Sequence, residues 1–160
     1  MNEQLRAIAQ RIRAELPEMD RAIQRARQAF ERASLSSDDL YLDSVALNLH
    51  SFYGGVERLF TVVAGVIDGS VPTGENWHQA LLQQMVADIP DVRPAVISAA
   101  TLRLLDEYRA FRHVVRNVYA FQLDPARLHR LVHEAPRTSA EVRAELAAFA
   151  DFLNDRSTES

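Results

Sequence analysis

The sequence predicts an all-α fold, an up-and-down bundle of five or six helices. Three observations carry this. Apolar residues recur at spacings of three and four through most of the chain, the mark of amphipathic helices. No run alternates polar with apolar residues, and no Asn-Gly pair marks a hairpin. Serine, aspartate and proline fall where helices should begin or end.

Residues 2–33 read as one helix, with Leu5, Ile8, Ile12, Leu16, Met19, Ile23, Ala26 and Phe30 in register. Pro17 removes a backbone hydrogen bond at a cost of roughly 3 kcal/mol. The stripe keeps its phase across it, which predicts a kink rather than a break. Residues 34–37 read as a turn, with Ser36, Ser37 and Asp38 as candidate caps. A second helix is expected over 39–68, along the stripe Val45, Leu49, Phe52, Val56, Leu59, Val63 and Val66. So apolar a helix belongs at the centre of the bundle. Gly54 and Gly55 inside it suggest a close backbone approach or a bend. Asn48, His50 and Glu57 are its polar exceptions: hydrogen-bonded or rim groups in the simpler reading, or, for Glu57 or Asn48, a group that orients an arginine of residues 107–124.

Residues 68–76 read as a loop, and Asn76 as the cap of a short helix from Trp77 to about Asp88, with Trp77 as a core anchor. Ser98 caps the next helix, expected over 98–122. Asp124 followed by Pro125 marks a further start. Pro136 is expected to end that helix, and Thr138 with Glu141 to cap a last one. Residues 156–160 read as a frayed tail.

At 160 residues and 48% hydrophobic, the chain can bury one core and reads as a single domain over 1–160. It has no cysteine, which excludes thiol catalysis and cysteine-based zinc sites. All 18 basic residues are arginine, which excludes Schiff-base and P-loop lysines. The net charge of −4 confines any nucleic-acid contact to a local arginine patch. No apolar run approaches the length of a membrane span, and the N-terminus lacks a hydrophobic signal core. The expectation is a soluble, cytoplasmic protein that makes no membrane contact.

The chemistry concentrates in EYRAFRHVVRNVYAFQLD, residues 107–124. Leu104, Tyr108, Phe111, Val115 and Val118 form the apolar stripe. Arg112, Arg116 and Tyr119 follow the same rhythm on a neighbouring face, and His113 and Asn117 form a third line. Buried charge costs several kcal/mol unless paired. This polar face is therefore either solvated or a site. His129 and His133, four apart, have metal-ligand spacing, but no cysteine or third histidine is near, so a metal would need Glu134 or a distant residue, and a solvated face is the simpler reading.

The stretch resembles the signature of HepT-like toxins of the HEPN superfamily, whose motif is Arg, four residues, His, one residue, Tyr. Arg112 matches the arginine and Tyr119 the tyrosine; Asn117 stands where the family has histidine. The resemblance implies a HEPN-like helical domain in a two-fold homodimer. It implies metal-independent cleavage of RNA without a cofactor, and control by a nucleotidyltransferase antitoxin of the MNT type that attaches AMP to the tyrosine. Arg112 would neutralise the developing phosphorane charge, with Arg109 and Arg116 as further phosphate contacts and Glu57 in support. Asparagine cannot move a proton near neutral pH, so His113 is the nearest substitute. The departure leaves a second reading open: a HEPN-fold protein that binds RNA, nucleotide or a protein partner without cleavage. On an ideal helix Arg112 and Asn117 point about 140° apart. Either the helix distorts near its end or a second copy completes the cleft; the resemblance implies the second copy.

Overall fold

The computed structural model describes residues 2–159. Five α-helices make up the fold: α1 (Asn2–Ser36), α2 (Leu40–Val62), α3 (Trp77–Val86), α4 (Ala99–Asn117) and α5 (Pro125–Thr158). The long elements α1, α2, α4 and α5 alternate in direction. The core is the shared apolar faces of all five, with Ile12, Phe52, Phe60, Leu81, Phe111 and Leu146 among its fully covered side chains.

The α1 helix lies between α2 and α5. Its register runs through Pro17 unbroken, as the apolar pattern required. Arg143 donates to Asp20 at 3.0 Å and Arg13 pairs with Asp151, so α5 runs antiparallel to α1. The helix continues through Ser36, past the expected turn, and reverses at Ser37, which adopts φ 57°. Asp38 accepts from the Leu40 amide at 3.0 Å and closes the corner.

The second helix follows its predicted stripe as far as Val63 and then widens into a π-helical segment, Val63–Asp68. Val66, expected inside, is exposed. Gly69 in the left-handed region ends the segment. Gly54 and Gly55 do not mark a close backbone approach. A Cβ at either would meet only ordinary contacts, the nearest being Arg58 at 3.5 Å and Glu15 at 3.6 Å.

In α3, Leu81, Leu82 and Met85 point inward as expected, while Trp77 is half-buried rather than a full anchor. Asn76 makes no side-chain cap bond. Residues 89–93 form a tight turn closed by an isolated antiparallel bridge between Ile89 and Arg93.

Ser98 caps α4 by accepting from the Thr101 amide at 3.1 Å. Tyr108 pins this helix on two sides: its ring meets Phe52 edge-on at 5.6 Å, and its hydroxyl donates to the Leu131 carbonyl at 2.7 Å. Burial pushes that phenol far up, so it stays a donor. The helix stops at Asn117, short of the expected 122, and Val118 and Tyr119 are extended. The Asn117 amide donates to the His113 carbonyl at 2.6 Å. Such side-chain bonds compete with the helical backbone and favour helix ends. A 3₁₀ turn, Ala120–Gln122, leads to α5, where Asp124 accepts from the Ala126 amide at 3.0 Å.

Pro136 does not end α5. Leu128, Leu131, Ala135, Val142 and Leu146 stay in phase across it and are buried, so packing outweighs the roughly 3 kcal/mol cost of the proline. Thr138 is no N-cap; its hydroxyl donates backwards to the Glu134 carbonyl at 3.1 Å. Residues 156–158 are helical and Ser157 is buried, against the expected frayed tail; Ser160 lies outside the described residues. Among the described residues no helix is long and apolar enough to cross a membrane.

Candidate functional site

The C-terminal half of α4, the start of α3 and the loop before it meet around a cavity of about 350 Å³. Arg109, Arg112, His113, Arg116 and Asn117 border it from α4, and Glu75, Asn76, His78 and Gln79 close it from the loop and α3. Arg112 and Asn117 therefore reach one cavity within a single chain. The ideal-helix angle fails here because Asn117 is the last helical residue and folds back on His113, while Arg112 is long.

Glu57 is the hinge of the site. Its side chain is buried, and a buried carboxylate needs partners. Two are supplied. Oε2 lies 2.7 Å from His78 Nδ1, and Oε1 lies 3.9 Å from Arg112 Nη2. Arg112 Nη1 lies in turn 3.5 Å from His78 Nε2. The His78 ring packs on Trp77 with centroids 3.6 Å apart. Glu57 thus orients Arg112, one of the two roles its position on an apolar helix suggested. Asn48 does not; its amide donates to the Ser44 carbonyl at 2.8 Å.

The remaining motif residues differ in freedom. Arg109 is held by Asp106, one turn back, at 2.6 Å. Arg116 and His113 are exposed at the cavity rim, with the Asn117 amide 3.4 Å from His113 Nδ1. Arg112 Nε is buried and finds no hydrogen-bond partner among the described residues. Tyr119 is not part of the cavity wall. Because α4 ends early, it sits beyond the helix rather than on Arg112's face. It is 71% exposed and stacks on Phe121 at 5.4 Å. That exposure rules out a core position for Tyr119.

Burial and both signs of charge act on the groups behind the cavity. Burial first, then the charges of Arg112 and Arg116, push the His50 pKa down, with Glu57 pulling the other way. Burial and the Glu57 charge push the Tyr53 phenol far up, so it stays neutral. Guanidinium groups match phosphate geometry, and the two imidazoles at the cavity, His78 and His113, can carry protons. The distant pair His129 and His133 stack 6.3 Å apart, with His129 against Phe30. Among the described residues no group of three or more His, Asp or Glu is placed to hold a metal ion.

His78 is the residue that the sequence reading missed. Nothing local marks it, since it lies in the first turn of a short helix, 21 residues from Glu57. The available signal was Glu57 itself, a carboxylate on an apolar helix that demands a donor.

A family model described as HepT-like protein matches residues 44–153, more than half of the chain. No curated protein and no solved structure matches it. The matched span runs from α2 into α5 and holds every residue of the cavity. The chain belongs to the HepT-like family of the HEPN superfamily.

Proposed function

We propose that the protein is a HepT-like toxin, a metal-independent endoribonuclease that acts as a homodimer in the cytoplasm and is neutralised by an MNT-type nucleotidyltransferase antitoxin. The observation that supports this best is the convergence of Arg109, Arg112 and Arg116 on one cavity with two histidines. Three guanidinium groups bind the phosphate that RNA presents. Arg112, braced by Glu57, stabilises the added negative charge when the ribose 2′-hydroxyl attacks that phosphate. His113 and Asn117 border the same space and contact the ribose or the leaving oxygen.

The test is degradation of RNA by the purified protein, with and without EDTA. Cleavage is expected in both conditions, and Arg112→Ala is expected to remove it by roughly 10²–10³-fold with helical content unchanged. Full activity in that variant, or loss on adding EDTA, would overturn the mechanism. One observation favours a second reading, a HEPN-fold protein that binds RNA, nucleotide or a partner without cutting. Asn117 cannot titrate, and its amide is already committed to the His113 carbonyl. Tight RNA binding by a protein that leaves RNA intact would select that reading.

A further inference from the structure

We propose that His78, oriented by Glu57, is the general base of the site and takes over the proton transfer that Asn117 cannot perform. This rests on the cleavage reading above. The geometry that carries it is the line Glu57, His78, cavity. An ionised carboxylate can only accept hydrogen bonds, so His78 Nδ1–H donates to Glu57 Oε2 at 2.7 Å. That fixes the tautomer and leaves the lone pair on Nε2. His78 lines the cavity beside Arg112, and the 3.5 Å from Nε2 to Nη1 is too long for a strong bond that would occupy the lone pair. Packing against Trp77, with the two rings tilted by 31°, restrains the ring, while 24% of the side chain stays accessible. A base held by a buried carboxylate, with its free nitrogen aimed at a binding space, is the arrangement that proton abstraction requires.

His113 lacks each of these features. Its side chain is exposed, no carboxylate orients it, and its Nδ1 faces only the Asn117 amide at 3.4 Å. The step balances as follows. Nε2 takes the proton from the ribose 2′-hydroxyl. The 2′-oxygen bonds to phosphorus, the bond from phosphorus to the 5′-oxygen breaks, and the leaving oxygen takes a proton from water. The products are a 2′,3′-cyclic phosphate and a 5′-hydroxyl end, after which Nε2 returns its proton to solvent. Arg112, adjacent to Nε2, places the phosphate so that the 2′-hydroxyl meets the base.

The experiment compares wild type, His78→Gln and His78→Ala on a single-stranded oligoribonucleotide, and on its all-2′-deoxy analogue for binding. Circular dichroism checks the fold of each. Expected for His78→Gln is a loss of roughly 10²-fold or more in cleavage with unchanged binding of the analogue. The rise of the wild-type rate with pH through the histidine range is expected to vanish with it. Added imidazole is expected to restore part of the rate to His78→Ala, which a purely structural role would not allow. An active wild type matched by an equally active His78→Gln overturns the proposal alone. A wild type that binds the oligonucleotide but never cuts it overturns the cleavage reading and this proposal together. Should His78→Gln fail to fold, a wild-type profile lacking a basic group in the histidine range is itself sufficient to overturn it.

Discussion

Arg93 holds Asp68 in a two-pronged grip inside the protein. Nε meets Oδ1 at 2.6 Å and Nη2 meets Oδ2 at 2.7 Å, with the two side chains 0% and 4% exposed. The same guanidinium donates to the carbonyls of Gln84, Ala87 and Pro94. It thereby ties the end of the π segment, the end of α3 and the following turn into one corner. Arg93→Ala leaves the buried Asp68 carboxylate without its charged partner, with only the Gln84 amide donating to it at 2.8 Å among the described residues, and is expected to cost about 3 kcal/mol of folding stability. Urea unfolding measures it; a loss below about 1 kcal/mol would show that water replaces the arginine.

His50 makes stability depend on pH. Its pKa in the folded protein lies below the ordinary 6.5, through burial first and then Arg112 and Arg116. Below that value the unfolded chain binds more protons than the folded one, so the stabilisation is complete above about pH 6.5 and declines as pH falls. Urea midpoints taken just below pH 6.5 are expected to drop for wild type and to stay flatter for His50→Gln. Parallel curves for the two proteins would remove His50 as the cause.

Restoring the family histidine is expected to raise cleavage. Asn117→His adds a titrating group to the cavity that already holds His78, and general acid–base help supplies roughly 10²–10⁴-fold. A gain of about tenfold or more in initial rate is expected. An unchanged rate would mean that this position no longer serves proton transfer.

Tyr119 is the expected acceptor of AMP from a nucleotidyltransferase antitoxin. Its exposed phenol lies outside the cavity, so an enzyme can reach it without opening the site. The attached phosphate would bring negative charge two residues from Asn117, just past the end of the helix that carries Arg109, Arg112 and Arg116. Intact-mass spectrometry after co-expression with such an enzyme should show AMP additions on wild type and none on Tyr119→Phe. An unmodified protein bound tightly to its antitoxin would point to occlusion instead.

Leu40 and Leu47, seven residues apart on α2, are 70% and 64% exposed, and Phe121 is 83% exposed. The α2 face that carries Leu40 and Leu47 is the expected seat of a second copy. Light scattering should give about twice the 18.0 kDa chain mass, and Leu47→Glu should halve it. A monomer at every concentration would end the dimer idea.

Where a local pattern and the packing agree, the sequence is a sufficient guide. The unbroken stripe of α1, the Ser98 cap and the Asp124-Pro125 start all follow from local patterns. Two errors came from giving local signals too much weight. Pro136 looked like a stop, yet the long seam between α1 and α5 carries the helix through it. The motif looked helical through Tyr119, yet Asn117 turns its side chain on its own helix and ends it. The arginines at the site were legible because a helix places residues at fixed angles. His78 and Arg93 were not, because their partners Glu57 and Asp68 come from elements with no sequence period in common with theirs.

The π segment at the end of α2 acts as an angular gear. A turn closed by i→i+5 bonds holds about one residue more than an α turn, so everything after it is rotated by one step, ~100°. Upstream, the buried line runs to Val63; downstream, Val66 is turned out and Asp68 turned in to meet Arg93. Chain length between 63 and 68 therefore sets direction rather than reach. The loss of one residue from the loop after Gly69 would only shorten a connection. The loss of Gly65 would bring the helix back into α phase and swing Asp68 out of the corner that Arg93 was built to fill.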